Sequence, residues 1–365
     1  MRIAHRRHSR RMVGRDPLEK HRAATPLEAL FDLTFAASFS LAASDLASVL
    51  AAAHYRAGLV GFAFASFAIC WAWINFSWFS SAYDTDDWAF RLATMVQMIG
   101  VLVLAAGLPR MFASIERSGH IDNSVMVTGY VIMRVALVFQ WVRAAKDDTA
   151  RRRVCLIYAA TISIAQIGWV VLITLPFTSA GAILLGGVLV LIEMTGPMLA
   201  ERRAGGTPWH AHHIAERHSL FTIVALGEGV VGTVAALSAV VDRQGWTLDA
   251  MLVGIAGMGL TFGMWWLYFL VPSEEILERH RARALVWGYI QILIVTSIVA
   301  TGAGLRLAAI FIDGSARITG LAVVLAVAVP VVIYLGLLHA LNDYLNRATT
   351  GIAAHNGQGS RLSRR

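Results

Sequence analysis

The chain has 365 residues, 57% of them hydrophobic and only 15% charged, and its mean hydropathy is +0.62. A soluble domain carries about 25% charged residues, so this composition excludes an ordinary water-soluble fold and makes lipid the solvent for the helix exteriors. The formal charge of +8 and the pI near 10 would suit a nucleic-acid binder, but the basic residues lie in short blocks beside apolar stretches. Membrane orientation and attraction to anionic lipid account for such blocks, and no nucleic-acid partner is expected.

Ten apolar stretches follow in chain order: 27–51, 58–82, 89–112, 124–145, 154–175, 181–200, 215–240, 247–271, 284–309 and 316–341. Each supplies the roughly 20 residues that a helical crossing of hydrocarbon requires. With the N-terminus set in the cytoplasm, 24 of the 31 Lys and Arg fall on the inner side. Six fall outside (Arg56, Arg110, Arg117, Arg243, Arg306 and Arg317), and Arg134 lies within a span. That asymmetry follows the positive-inside rule. It predicts a multi-pass inner-membrane protein with both termini in the cytoplasm. The basic leader to Arg22 runs into a full-length span carrying Asp32 and Asp45 rather than a short signal core, so the first helix is expected to be retained. Cys70 and Cys155 fall in or at the start of apolar spans and read as small packing residues.

The chain also repeats itself. Trp71-Ala72-Trp73-Ile74-Asn75-Phe76 aligns with Met264-Trp265-Trp266-Leu267-Tyr268-Phe269, and an acidic loop follows each. Next, Met95-Val96-Gln97-Met98 aligns with Tyr289-Ile290-Gln291-Ile292, and Ala106-Gly107-Leu108 with Ala303-Gly304-Leu305. Spans one to four therefore resemble spans seven to ten, and an even number of crossings separates the copies. The expected fold is all-α: a polytopic transmembrane bundle of two parallel four-helix repeats with an inserted helix pair. The boundaries are 1–24 (basic cytoplasmic tail), 25–146 (first repeat), 147–205 (inserted pair), 206–345 (second repeat) and 346–365 (basic tail).

Ionisable groups at membrane depth are rare and face a bundle interior or an aqueous path. At about 1.5 Å per residue, Arg134, Glu193, Glu228 and the repeat-related Gln97 and Gln291 all fall near the midplane. Arg134 is expected to pair with Glu193 or Glu228, as a site or gate for an ion, proton or charged substrate, or as a tie that fixes helix register. A second polar layer near the inner face holds Glu28, Asp32, Asn75, Glu216, Arg217 and His218. Glu28 and Asp32 share one face of the first helix, and Arg217 and Glu228 mark one stripe down the seventh. Ordinary capping explains Glu28, with Thr25 as N-cap and Pro26 in the first turn. The run His210-Ala211-His212-His213 has no carboxylate or thiolate partner nearby in sequence, so neither a metal nor another cofactor is assigned.

Two segments resemble a known family. Thr25-Pro26-Leu27-Glu28-Ala29-Leu30-Phe31-Asp32-Leu33-Thr34-Phe35 is similar to the opening TPLELFFDLVF of the bacterial low-temperature-requirement A family. Glu216-Arg217-His218-Ser219-Leu220-Phe221-Thr222-Ile223-Val224-Ala225-Leu226-Gly227-Glu228 resembles its ERHGLFTIIxLGES. The departures are Ala29, Ser219 and Gly229. The resemblance implies a link with growth in the cold and no assigned molecular activity. The first helix, from Leu27 to Ala36, also resembles the opening signature of the endolysosomal potassium channel family, although the serine of that family's Phe-Ser-Asp is absent.

The reading that joins these observations is a non-enzymatic membrane protein, transporter- or channel-like, handling an ion or small solute along the first and seventh helices. The alternative is a non-transporting sensor or envelope-assembly factor in cold adaptation. Lipid, with anionic lipid at the basic segments, is the expected partner, and homo-oligomerisation stays open.

Overall fold

A computed structural model describes residues 10–17, 19, 22–117 and 121–362, so the expected basic tails fall partly outside the described residues. The chain forms α1 (Pro26–Ala51), α2 (Tyr55–Tyr83), α3 (Trp88–Glu116), α4 (Ser124–Asp147), α5 (Arg152–Thr174) and α6 (Ser179–Arg203). Beyond these come α7 (Ala211–Gln244), α8 (Leu248–Phe269), the short α9 (Ser273–Arg279), a 3₁₀ turn at Arg281–Arg283, α10 (Ala284–Ile312) and α11 (Gly320–Leu362). No strand occurs among the described residues. Among the described residues ten helices are long and apolar enough to cross a membrane, as the hydropathy predicts. An even number of crossings brings the start of α1 and the end of α11 to one face, the terminal face.

Caps and prolines set the boundaries. Thr25 and Glu28 form a reciprocal capping box at the start of α1, with Pro26 in the first turn. Asp87, Thr178 and Thr247 accept backbone N–H groups at the starts of α3, α6 and α8. Three expectations shift. The third helix runs through Pro109 to Glu116 rather than ending at residue 112, since a proline is tolerated inside a helix that crosses a bilayer. The seventh begins at Ala211 rather than 215, since the His210 side chain caps it and the histidine run becomes its first turn. The acidic stretch after α8 is not simply a loop: it folds into α9 and buries Leu277 completely.

α2 and α10 are the most enclosed spans, while α6, α8 and α11 are mostly exposed to the surroundings. α2 packs on α1, α3, α4, α7 and α10, and α10 on α1, α2, α7 and α11, so α1, α2, α7 and α10 form the centre. α3 to α6 lie to one side of this centre, where α5 stacks on α4 and α6 chiefly on α5. Lipid provides no hydrophobic drive between helices, so close approach of small residues carries the association. A Cβ on Gly129 of α4 would stand 2.2 Å from the backbone nitrogen of Leu104 on α3. One on Gly302 of α10 would stand 2.6 Å from the carbonyl carbon of Glu228 on α7. Both positions tolerate only hydrogen.

The described part of the N-terminal segment is folded onto the bundle. Backbone N–H groups of Arg10, Met12 and Gly14 donate to Asp87 (2.9 Å), Asp147 (2.9 Å) and Asp148 (3.2 Å). Burial alone would raise Asp87, but the Arg143 guanidinium and the N–H groups of Phe90 and Arg10 hold it below the usual carboxylate range. Arg22, expected as part of a lipid-facing tail, is buried and donates to the carbonyls of Ser80 (2.6 Å) and Ser81 at the end of α2. Burial pulls it down to about 10, so it stays charged at neutral pH.

Candidate functional site

Near the terminal face α1 and α7 exchange charge. Glu28 and Asp32 are one turn apart on α1, and His213 and Arg217 have the same spacing on α7, so each pair projects from one side of its helix. Arg217 sits between the two carboxylates, with Nη2 2.7 Å from Asp32 Oδ1 and Nη1 3.6 Å from Glu28 Oε1. His213 Nε2 lies 3.1 Å from Glu28 Oε1. From α2, the Trp73 indole donates to Asp32 Oδ1 at 2.6 Å, and Ser77 Oγ accepts from Arg217 Nη2 at 3.1 Å. Glu28 Oε2 also accepts the backbone N–H of Thr25 at 2.8 Å. Glu28, Asp32, His213 and Arg217 are all buried.

Aromatic rings seal this cluster. Trp73 stacks on Phe221 with centroids 3.9 Å apart, His218 meets Trp73 edge-on at 4.9 Å, and Phe31 lies 4.0 Å from Phe76. Excluding water strengthens each ion pair: unit charges at about 4 Å gain ~1 kcal/mol in water but ~4 kcal/mol at an effective dielectric of about 20. Two carboxylates face one guanidinium directly, and His213 stands against the Glu28 end of the cluster. Asp32 Oδ2, Arg217 Nε and His218 Nε2 are enclosed with no hydrogen-bond partner among the described residues.

Two further ion pairs lie deeper. Glu228 of α7 accepts from Arg306 of α10 at 2.7 Å, and the same guanidinium nitrogen donates to Ser40 of α1 at 2.8 Å. On the other side of the bundle, Arg134 of α4 binds Glu193 of α6 at 2.8 Å, with both side chains 2% exposed. Tyr130 hydrogen-bonds to Glu193 and accepts from Arg134 at 2.6 Å. Gln166 (3.1 Å) and the Trp169 indole (2.9 Å), both on α5, complete the shell of Glu193.

The expected midplane layer is therefore several separate arrangements. Of the two partners open to Arg134, the structure selects Glu193, while Glu228 takes Arg306, which the charge count had placed in an outer loop. Gln97 donates to Gln140 at 2.9 Å, whereas Gln291 accepts from Tyr268 at 3.2 Å. In the second layer, Asp32, Glu28 and Arg217 come together, but Asn75 donates to Trp71 O of its own helix and Glu216 turns away to accept the Ala24 N–H. His218 hydrogen-bonds to Ile214 O and rests edge-on against Trp73 and Trp287. His210 contacts Glu19 O and His212 pairs with Glu274 at 2.7 Å, and among the described residues no three His, Cys, Asp or Glu gather as a metal site. Sequence reasoning missed Trp73, Ser77, His213, Tyr130 and Gln166. The signal for His213 and Tyr130 was present, since each stands one turn before an interior arginine.

Removing one member of a buried pair strands the other, at a cost of about 3–5 kcal/mol. Arg134→Ala is expected to lower the yield of monodisperse protein and its unfolding temperature. Adding Glu193→Gln should restore much of both, because the amide keeps bonds to Tyr130 and Trp169 and needs no countercharge, whereas adding Glu228→Gln should not. Thermal unfolding in detergent checks this, and equal behaviour of the two double variants would contradict the pairing.

The chain matches the family described as Bacterial low temperature requirement A protein (LtrA) over residues 23–356. It is 24% identical over 224 residues to an uncharacterized protein of Rhizobium meliloti (strain 1021), a match covering 58% of this chain and 51% of that protein. The chain thus spans about half the length of this curated relative. No solved structure matches it. Taken with ten membrane-length helices, a family match over nearly the whole chain means that this protein belongs to the bacterial low temperature requirement A family and is a multi-pass membrane protein.

Proposed function

We propose that the protein moves or conducts a small ion or solute, and that the cluster of Asp32, Glu28, Arg217 and His213 takes up and releases a proton or small cation during that movement. The carrying observation is the set of enclosed polar atoms left without partners: Asp32 Oδ2, Arg217 Nε and His218 Nε2. Unsatisfied polar groups inside a bilayer cost several kcal/mol each, so an ion pair kept only as a tie would be better served by full pairing or by apolar residues. Further along α7, Glu228 and Arg306 provide a second charged station, eleven residues or about 16 Å from Arg217. The proposed duplication of α1–α4 in α7, α8, α10 and α11 sets α1 beside α7 as repeat-related helices, where transporter sites commonly form. No catalytic role is proposed, and the link with growth in the cold is carried over from the family description.

One observation favours the second reading, in which α1 and α7 are locked as part of a sensor or envelope-assembly factor: Glu28, Asp32 and Arg217 line none of the larger cavities. Flux separates the two. Full-length protein in liposomes should dissipate an imposed proton or alkali-cation gradient. Asp32→Asn and Glu228→Gln, near-isosteric changes, should fold normally yet lower that flux about tenfold or more if the charges handle the ion. Unchanged flux in the double variant would leave the locked-scaffold reading.

We further propose that the terminal face is cytoplasmic and the membrane is the bacterial inner membrane, on the strength of the Lys and Arg asymmetry. In intact cells, an impermeant thiol reagent should label single cysteines introduced at Arg243 and Asp313, and reach those at Arg152 and His212 only after permeabilisation. The reverse pattern would overturn the orientation.

A further inference from the structure

Away from α1 and α7, a crevice runs between α6 and the pair α2 and α3. A cavity of about 710 Å³ opens at the face opposite the termini, where α2 begins and α3 ends, and His54, Arg56 and Glu116 line its mouth. A second cavity of about 410 Å³ shares Val60, Ile115, Ile121 and Ile183 with the first and continues inward. Its walls are apolar: Phe64 and Phe67 of α2, Met111 of α3, Leu172 of α5 and Val190 of α6. At its inner end stands Trp169, whose indole holds Glu193.

We propose that this crevice binds one acyl chain of an anionic phospholipid from the leaflet opposite the termini, with the lipid phosphate on Arg56. Three observations select that occupant. From Tyr55 to Phe67 the crevice follows twelve residues of α2, about 18 Å, close to the ~15 Å of hydrocarbon in one leaflet. Each of its two cavities lies within the roughly 300–1,000 Å³ of ligand pockets, and the surrounding solvent at that depth is lipid tail. At the mouth, His54 and Glu116 pair with each other at 2.5 Å, which leaves Arg56 exposed and without a partner among the described residues. Arg110 on α3 and Arg117 just past its end add exposed positive charge at the same end, and exposed Tyr55 is of the type that sits at headgroup level. A bound chain would touch Trp169, so occupancy bears directly on the indole that holds the buried Glu193.

Glycines supply the test. A Cβ on Gly187, which lines the crevice, meets nothing within 4 Å, and one on Gly186 meets Phe64 and Trp169 only at 3.9 Å. Gly187→Leu and Gly186→Val are therefore plugs that the helix backbone accepts. The full-length chain is placed in phosphatidylcholine nanodiscs containing phosphatidylglycerol with a photoreactive diazirine near the end of one acyl chain. After illumination, peptide mapping should find label on Phe67, Trp169 or Val190. Either plug should lower it by about tenfold, since a filled pocket no longer takes its ligand, while label on the exposed α8 face at Ile255 and Met258 stays constant. Arg56→Ala should abolish any preference over the matching phosphatidylcholine probe. Uniform labelling of all lipid-facing helices, or crevice labelling indifferent to both plugs, would overturn the site. Equal labelling of the wild type by the two probes would overturn the headgroup assignment. Loss of a dimer in the plugged variants would make the crevice a contact between copies instead.

Discussion

A charge inside a bilayer has to find its countercharge inside the protein, and that requirement organises this bundle. Each interior pair joins helices far apart in sequence: Arg217 reaches Asp32 across 185 positions, Arg306 reaches Glu228 across 78, and Arg134 reaches Glu193 across 59. Lipid tails are as apolar as leucine side chains, so burying apolar surface does little to choose one helix arrangement over another. Charge pairing and backbone contact at glycine do choose. At Gly302 the two coincide, because the missing side chain brings α10 against the backbone of Glu228, the residue that Arg306 binds.

The same requirement separates the two sides of the molecule. Around Glu193 every contact is made by a long, well-placed donor: two from α5, one from Tyr130 and one from Arg134. Around Asp32 the carboxylate uses one oxygen twice and leaves the other enclosed and unpartnered. The first arrangement has the character of a brace. Both keep enclosed polar atoms without partners among the described residues, Arg134 Nε and Nη1 and Gln166 Oε1 in the first. Of the two, only the second leaves a carboxylate oxygen so, at the junction of α1, α2 and α7, which is why the proposed transport chemistry rests there.

The helix count and the all-α bundle were legible in the sequence, because apolar length and the alternation of Arg and Lys are one-dimensional signals that need no partner. Depth was legible too: a position along a helix fixes height in the membrane. Azimuth was not. Glu193 and Glu228 lie at similar depth, and nothing in their local sequence says which one turns toward Arg134. Arg306 was hidden for the opposite reason, since a residue near the end of a span reads as an interfacial charge until α10 is seen to extend past it to Ile312. Asn75 shows the converse error: a polar residue at the right height spends its amide on its own helix. The α1–α7 junction was partly readable, because one-turn spacing places Glu28 with Asp32, whereas the seal of Trp73 over Asp32 depends on how α2 packs and carries no sequence signature.

The central claim is that the Asp32 carboxylate changes its protonation or its bound cation as the protein works. Isotope-edited infrared difference spectroscopy on the reconstituted chain, with labelled aspartate and a step in pH or alkali cation, observes that carboxylate directly. The account predicts an aspartate carboxyl band that responds to the step in the wild type and disappears from the difference spectrum in Asp32→Asn. An aspartate spectrum that is unchanged by the step, or that changes identically in the variant, would contradict it.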